Sequence, residues 1–191
     1  MREYIENYNR NFLTLIDSIR VTDDKRNKLD THQGIGNVCN IIKRQAEIGG
    51  KVFFIGNGGS AAIASHMAID FWKNGGIQAT AFNDSSLLTC ISNDFGYDHV
   101  FEKPIEMFSN KADILFAISS SGRSENILKG VKAAKSKGCK IITLSGFSDD
   151  NPLSLMGDFN FYIPSHEYGP VEVLHQYICH YILDTVIHTK Q

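Results

Sequence analysis

Apolar residues recur at two different spacings along this chain. Over residues 2–20, Tyr4, Ile5, Tyr8, Phe12, Leu15, Ile16 and Ile19 return every three or four positions, the period of an amphipathic helix. Residues 28–48 repeat the pattern with Leu29, Ile35, Val38, Ile41 and Ile42, although Gly34 and Gly36 weaken the first half. Thr22-Asp23-Asp24 reads as a break and a cap between the two helices. Past residue 50 the pattern changes. Short apolar runs at 52–55, 114–118, 140–144 and 159–163, with a further extended segment at 78–82, predict strands. Unbroken runs of this kind suit parallel strands buried on both faces. Helical segments fall between them: 60–72, a short one capped by Asn83-Asp84-Ser85, one ending at Phe108 with a break near Pro104, one reaching about Lys137, and 171–189 after Pro170. Residues 92–97 read as loop. This alternation predicts a doubly wound α/β sheet. It amounts to a single-domain α-β-α sandwich over 1–191, with a five-stranded, mainly parallel sheet in 49–191 and two extra helices in 1–48.

Two loops that follow predicted strands concentrate the chemistry. In KVFFIGNGGSAAIASHMAID, residues 51–70, Gly56-Asn57-Gly58-Gly59 allows a sharp turn and close backbone approach to a ligand. Ser60 is a suitable N-cap, and Ala61, Ala62 and Ala64 open a helix. A glycine turn running into a helix N-terminus favours an anion through free N–H groups and the helix dipole. The pattern Gly56-x-Gly58-x-x-Ala61, with Asp84 after the next strand, also fits a loose dinucleotide fingerprint. The second loop, SSSGRSEN from Ser119, argues against that. Ser119, Ser120, Ser121 and Ser124 put four hydroxyls in six positions, more than a helix cap needs and suited to surrounding one phosphate monoester. In doubly wound sheets, ligands bind beyond the carboxyl ends of the strands, where both loops lie.

Overall totals narrow the partners. The chain has 191 residues, 42% of them hydrophobic, and a net charge of −2, with a pI near 6.4. No basic field invites nucleic acid or a membrane surface. Cys39, Cys90, Cys139 and Cys179 show no CxxC spacing and read as reduced, buried thiols of a cytoplasmic protein. The first ten residues lack a signal-peptide core, and no apolar run reaches membrane-spanning length.

Acid–base and metal chemistry have their own candidates. His66 and Asp70 are four apart on one helix and share a face. Glu172 and His180 are eight apart on the last helix. Two carboxylates and two imidazoles brought together suit Zn²⁺, and equally suit proton shuttling between adjacent carbons. Gln176 is an alternative to Glu172, and His175 lies near the same face. His32, His99, His166 and His188 read as surface residues without partners, and Trp72 as core or interface.

Taken together, GNGGSA, HxxxD (His66 to Asp70), SNDFGY, SSSGRSEN and the HxxxxH of the last helix resemble the sugar isomerase (SIS) family. The resemblance runs from about Lys51 to the end of the chain. It implies an α-β-α sandwich, a homotetramer with sites at subunit interfaces, and one bound zinc per subunit. Within the family, the His and carboxylate positions point to an aldose–ketose isomerase converting sedoheptulose 7-phosphate to a heptose 7-phosphate. The alternative is a non-catalytic SIS module that binds a sugar phosphate or a protein. Ser60, Ser119, Ser121 and Ser124 match phosphate-binding positions, with Gly58, Gly59 and Ser120 beside them. Asn57, Asp94 and Glu172 match substrate contacts, and Asp70 and His180 match the catalytic pair. His66, Asp70, Glu172 and His180 fall on metal-ligand positions. Asp70 replaces the family's usual Glu, Glu172 its usual Gln, and Asn74 its usual Arg.

Overall fold

A computed structural model describes residues 1–189. The five expected strands are there and pair in parallel: β3 (Val52–Gly56), β4 (Ala79–Ala81), β5 (Ile114–Ser119), β6 (Lys140–Ser145) and β7 (Phe159–Tyr162). Every residue of β3 and β5 is buried. Phe54 and Phe116 point to one side of the sheet, while Phe53, Ile55 and Leu115 point to the other. This is why these strands read as continuous apolar runs and not as alternation.

Two strands were not foreseen. β1 (Arg20–Asp23) and β2 (Lys28–Leu29) form a small antiparallel hairpin, and β1 adds to the edge of β7 with Val21 opposite Phe161. The sheet therefore has seven strands, in the order β2-β1-β7-β6-β5-β3-β4. Thr22-Asp23-Asp24 is consequently strand and turn, not the expected break, and the hairpin closes with Arg26 at φ 65°. Strands of four and two residues are too short to leave a period in the sequence.

Helices cover both faces. α2 (Thr31–Glu47), α3 (Gly59–Lys73) and α7 (Tyr168–His188) enclose one core against the sheet. α5 (Glu102–Phe108) and α6 (Glu125–Ser136) enclose the other. α4 (Ser85–Phe95) runs four residues further than expected, so most of SNDFGY is helical and only Gly96 breaks it, at φ 94°. α1 (Arg2–Asp17) contains no buried residue; Phe12, Leu15 and Ile16 lean on the core from its second half. Among the described residues, no helix is long and apolar enough to cross a membrane. Cys39, Cys139 and Cys179 are buried free thiols, whereas Cys90, expected to be buried, is exposed.

Strand order reverses between β3 and β5: the chain leaves β3 for β4 on one side, then returns to place β5 on the other. Loops after these two neighbours diverge and open a crevice at the carboxyl edge of the sheet.

Candidate active site

The crevice is a cleft of about 250 Å³ lined by Asn57, Gly58, Gly59 and Ser60 from one loop and by Ser119, Ser120, Ser121 and Ser124 from the other, with Tyr168 and Glu172 of α7 across from them. Backbone geometry explains the glycines. A Cβ on Gly56 would meet the Ser60 backbone at 2.5 Å, so the turn from β3 into α3 closes only without a side chain. A Cβ on Gly59 would strike the Glu172 carboxylate. Gly58, at φ 55°, takes the N-cap position expected for Ser60, which becomes a buried residue of the first turn. First-turn N–H groups have no partner within their helix, so this turn offers donors to an anion.

The serine loop does more than cap. Ser124 occupies the N-cap of α6, yet its hydroxyl makes no cap bond and lies 3.4 Å from the Ser119 hydroxyl. Ser119 Oγ accepts from the Gly122 N–H at 3.2 Å, and Ser121 Oγ from the Arg123 N–H at 3.3 Å. Ser120 is buried and its hydroxyl has no partner. Behind the loops, the Asn57 side chain is paired with that of Asn126 by two hydrogen bonds, of 2.9 and 2.8 Å, and receives a third from the Tyr97 hydroxyl at 3.1 Å. Asn126 and Tyr168 were not singled out from the sequence. Asn126 stands within the SSSGRSEN motif, which is where a signal existed; Tyr168 had none.

Further down the same helices is a second cluster. α3 and α7 run alongside each other, with Gly59 beside Glu172 at the top and His66 beside His180 about two turns lower. His66 Nε2 is 3.3 Å from His180 Nε2 and 3.3 Å from Asp70 Oδ2, and His180 Nδ1 is 4.0 Å from the same carboxylate oxygen. One donor atom from each of the three lies within 4.8 Å of the others. The edge of a tetrahedron with metal–nitrogen bonds of about 2.0 Å is about 3.3 Å, so this group is able to hold a metal ion. Glu172, expected as a fourth ligand, is not part of the group: its carboxylate lies against Gly59 in the serine cleft.

Other expectations shift. Asp94 is exposed near the end of α4, held by the Asn93 side chain at 2.9 Å, and does not line the cleft. Asp84 caps α4 by accepting from Ser86 and Leu87 N–H groups, which accounts for it without a ribose. His175 is fully buried, and among the described residues neither ring nitrogen makes a hydrogen bond of good geometry; burial pushes its pKa down to about 4, and the approach of the Ser145 backbone offsets only part of the effect. His99, read as unpartnered, contacts Lys129 at 3.1 Å and pairs with Glu102. His32 lies 3.1 Å from the Tyr181 hydroxyl. A larger, mainly apolar cleft of about 430 Å³, lined by Leu87, Ile91, Phe95 and Met107 among others, lies between α4 and α5 and holds none of the predicted site residues.

A family model for the SIS domain matches residues 19–146, two thirds of the chain. The chain belongs to the SIS domain family. It is 35% identical over 158 residues to a phosphoheptose isomerase of Helicobacter hepaticus, covering 80% of each chain. It is 40% identical over 144 residues to a phosphoheptose isomerase of Vibrio cholerae, covering 72% of this chain and 75% of that one. The phosphoheptose isomerase GmhA of Neisseria gonorrhoeae superimposes with a TM-score of 0.84 at 28% identity, over 97% of this chain and 98% of that one. In this SIS domain, then, the cleft falls at the switch point of the sheet and the three-residue cluster falls on the helices that flank it.

Proposed function

We propose that this chain is a sugar-phosphate isomerase that converts sedoheptulose 7-phosphate to D-glycero-D-manno-heptose 7-phosphate. The observation that carries the reading is the pairing, on α3 and α7, of an anion cleft at one end with a carboxylate and two imidazoles lower down. Ser60 and His66 are six residues apart, about 9 Å along the helix axis. A substrate anchored by its phosphate and reacting at the other end must be long, which favours a seven-carbon ketose phosphate over a shorter one. Relatives bearing the name phosphoheptose isomerase agree with this choice.

In this reading the Gly58–Ser60 turn and the serine loop bind the phosphate. The Asp70 carboxylate moves a proton between C1 and C2 through an enediol, and His180 serves the adjacent oxygens. His66, Asp70 and His180 would hold zinc, which supplies Lewis-acid polarisation of the carbonyl and hydroxyl oxygens when bound. Two imidazoles and one carboxylate are the donor types zinc prefers. Asp70 reaches one methylene less far than a Glu, so the cluster is drawn towards α3.

The chain is further proposed to act as a cytoplasmic homotetramer. Tyr4, Ile5 and Leu13 of α1 are exposed, and so are Ile69, Trp72, Val173 and Tyr177 around the cluster. Apolar surface of this extent is suited to covering by a second copy. A monomeric mass by light scattering at micromolar concentration would remove the oligomer. For the reaction, purified protein incubated with sedoheptulose 7-phosphate, with and without added zinc, is expected to produce the aldose detectable by NMR. Intact phosphate binding without turnover in either condition would overturn the enzyme and leave a binding module.

A further inference from the structure

Cleft residues do not set their own spacing. Asn57 belongs to the loop after β3, and Asn126 opens α6 just past the loop after β5. Their side-chain amides face each other, with Asn57 Nδ2 donating to Asn126 Oδ1 at 2.9 Å and Asn126 Nδ2 donating to Asn57 Oδ1 at 2.8 Å. The polarity of this pair is favoured from outside. The Ile127 backbone N–H can only donate; it is shared between the Ser124 carbonyl, at 3.0 Å, and Asn126 Oδ1, also at 3.0 Å. Asn126 Oδ1 therefore faces Asn57 Nδ2, Asn57 Oδ1 faces Asn126 Nδ2, and the Tyr97 hydroxyl completes the set by donating to Asn57 Oδ1 at 3.1 Å. Asn57 Oδ1 thus has two donors, and only one Asn57 N–H remains for the cleft. Asn57 is left presenting a donor, the sense a phosphate oxygen requires.

Asn126 is 3% exposed and Tyr97 56% exposed, and neither lines the cleft. Tyr97 is itself held in place. It begins a short 3-10 turn, Tyr97–His99, in which Asp98 pairs with Lys129 and His99 Nε2 lies 3.1 Å from Lys129 Nζ. Lys129 is one turn along α6 from Asn126, so one helix anchors both partners of Asn57.

We infer that Asn126 and Tyr97 are positioning residues that, acting through Asn57, hold the two anion loops at a fixed spacing and keep the Asn57 amide turned donor-first into the cleft. This rests on the reading of the cleft as a phosphate site. Freed of its partners, Asn57 would have to be oriented on binding, so ordering its side chain would weaken the phosphate site. The test is calorimetric titration of inorganic phosphate, with melting curves and steady-state kinetics on sedoheptulose 7-phosphate, for wild type, Tyr97→Phe, Asn126→Ala, Asn57→Ala and Tyr97→Phe in the Asn57→Ala background. Tyr97→Phe removes one hydrogen bond at the surface and is expected to raise the phosphate Kd and the KM roughly threefold to tenfold. Its kcat should stay within about twofold, as for lost uniform binding, with no change in melting. Asn126→Ala should raise Kd about tenfold or more, and Tyr97→Phe should add nothing once Asn57 is Ala. Wild-type Kd in Tyr97→Phe, or the same loss with and without Asn57, overturns the inference even if Asn126→Ala fails to fold. A wild type that binds no phosphate removes the cleft reading and this inference together. A wild type that binds phosphate but turns over no sugar removes only the isomerase, and the Kd values still decide the positioning role.

Discussion

The serine cleft and the His66–Asp70–His180 cluster share two helices, yet they are assembled by opposite means. The cleft is made from backbone N–H groups and short hydroxyls at buried positions, Ser60, Ser119 and Ser120 among them. Such groups have few torsions to restrain and are placed by the sheet edge itself, so binding geometry is set once the chain folds. The cluster is made from longer side chains on the outer faces of α3 and α7, with His66 and His180 half to a third exposed. Their mutual distances depend on three rotatable groups holding one another. Under the proposed function, recognition is thus embedded in the fold, whereas the chemistry sits on side chains that are partly exposed.

The difference can be broken most sharply at Asp70. Asp70→Asn keeps the size of the side chain and removes the base, so turnover should fall roughly 10²- to 10⁴-fold while phosphate affinity stays at the wild-type value. NMR turnover assays beside phosphate titrations check this; a parallel fall in affinity would mean that the two regions are not separable. The reverse experiment is Ser121→Ala with Ser124→Ala. Each substitution deletes a hydroxyl able to bond a charged oxygen, costing about 1.5–3 kcal/mol in phosphate binding. Melting should change little, because the Ser124 hydroxyl caps nothing and the Ser121 hydroxyl accepts a single long bond, at 3.3 Å, from the exposed Arg123 N–H.

Helix α7 sharpens the same contrast from its two sides, with His180 facing out and His175 facing in. Buried His175 has a folded pKa of about 4, below the ordinary value of 6.5. Between those values the unfolded chain takes up a proton that the folded chain refuses. Stability is thus undiminished above pH 6.5 and declines as pH falls towards 4, by roughly 3 kcal/mol in total. Denaturant unfolding at a series of pH values should show this slope in wild type and a shallower one in His175→Leu. The smallest effect is expected at Glu172, the one carboxylate in the anion cleft. Glu172→Gln removes a like charge and should tighten inorganic phosphate about threefold to tenfold by calorimetry.

Much of this was legible in the chain before folding. The parallel strands announced themselves because burial on both faces demands unbroken apolar runs, as in Val52–Gly56 and Ile114–Ser119. Loop chemistry was equally plain, since glycine where the backbone turns sharply and serine before a helix have few other uses at a strand end. The β1–β2 hairpin escaped notice because an edge strand of four residues is specified by the Phe161 edge it joins, not by its own period. Asp94 lies near the end of α4 and does not line this chain's cleft, a placement set by how far α4 runs, which a motif does not give.

By itself the sequence determined the strand–helix alternation, the two glycine- and serine-rich loops and the i, i+4 pairing of His66 with Asp70, because each depends on spacing within one segment. Tertiary structure alone decided which segments meet. It brought His180 to His66, kept Glu172 out of the cluster, buried His175, and joined Asn57 to Asn126 across two loops. These are contacts between residues at least 69 positions apart, or orientations about a helix axis. They follow from how α3, α6 and α7 pack on the sheet, and no local period encodes that.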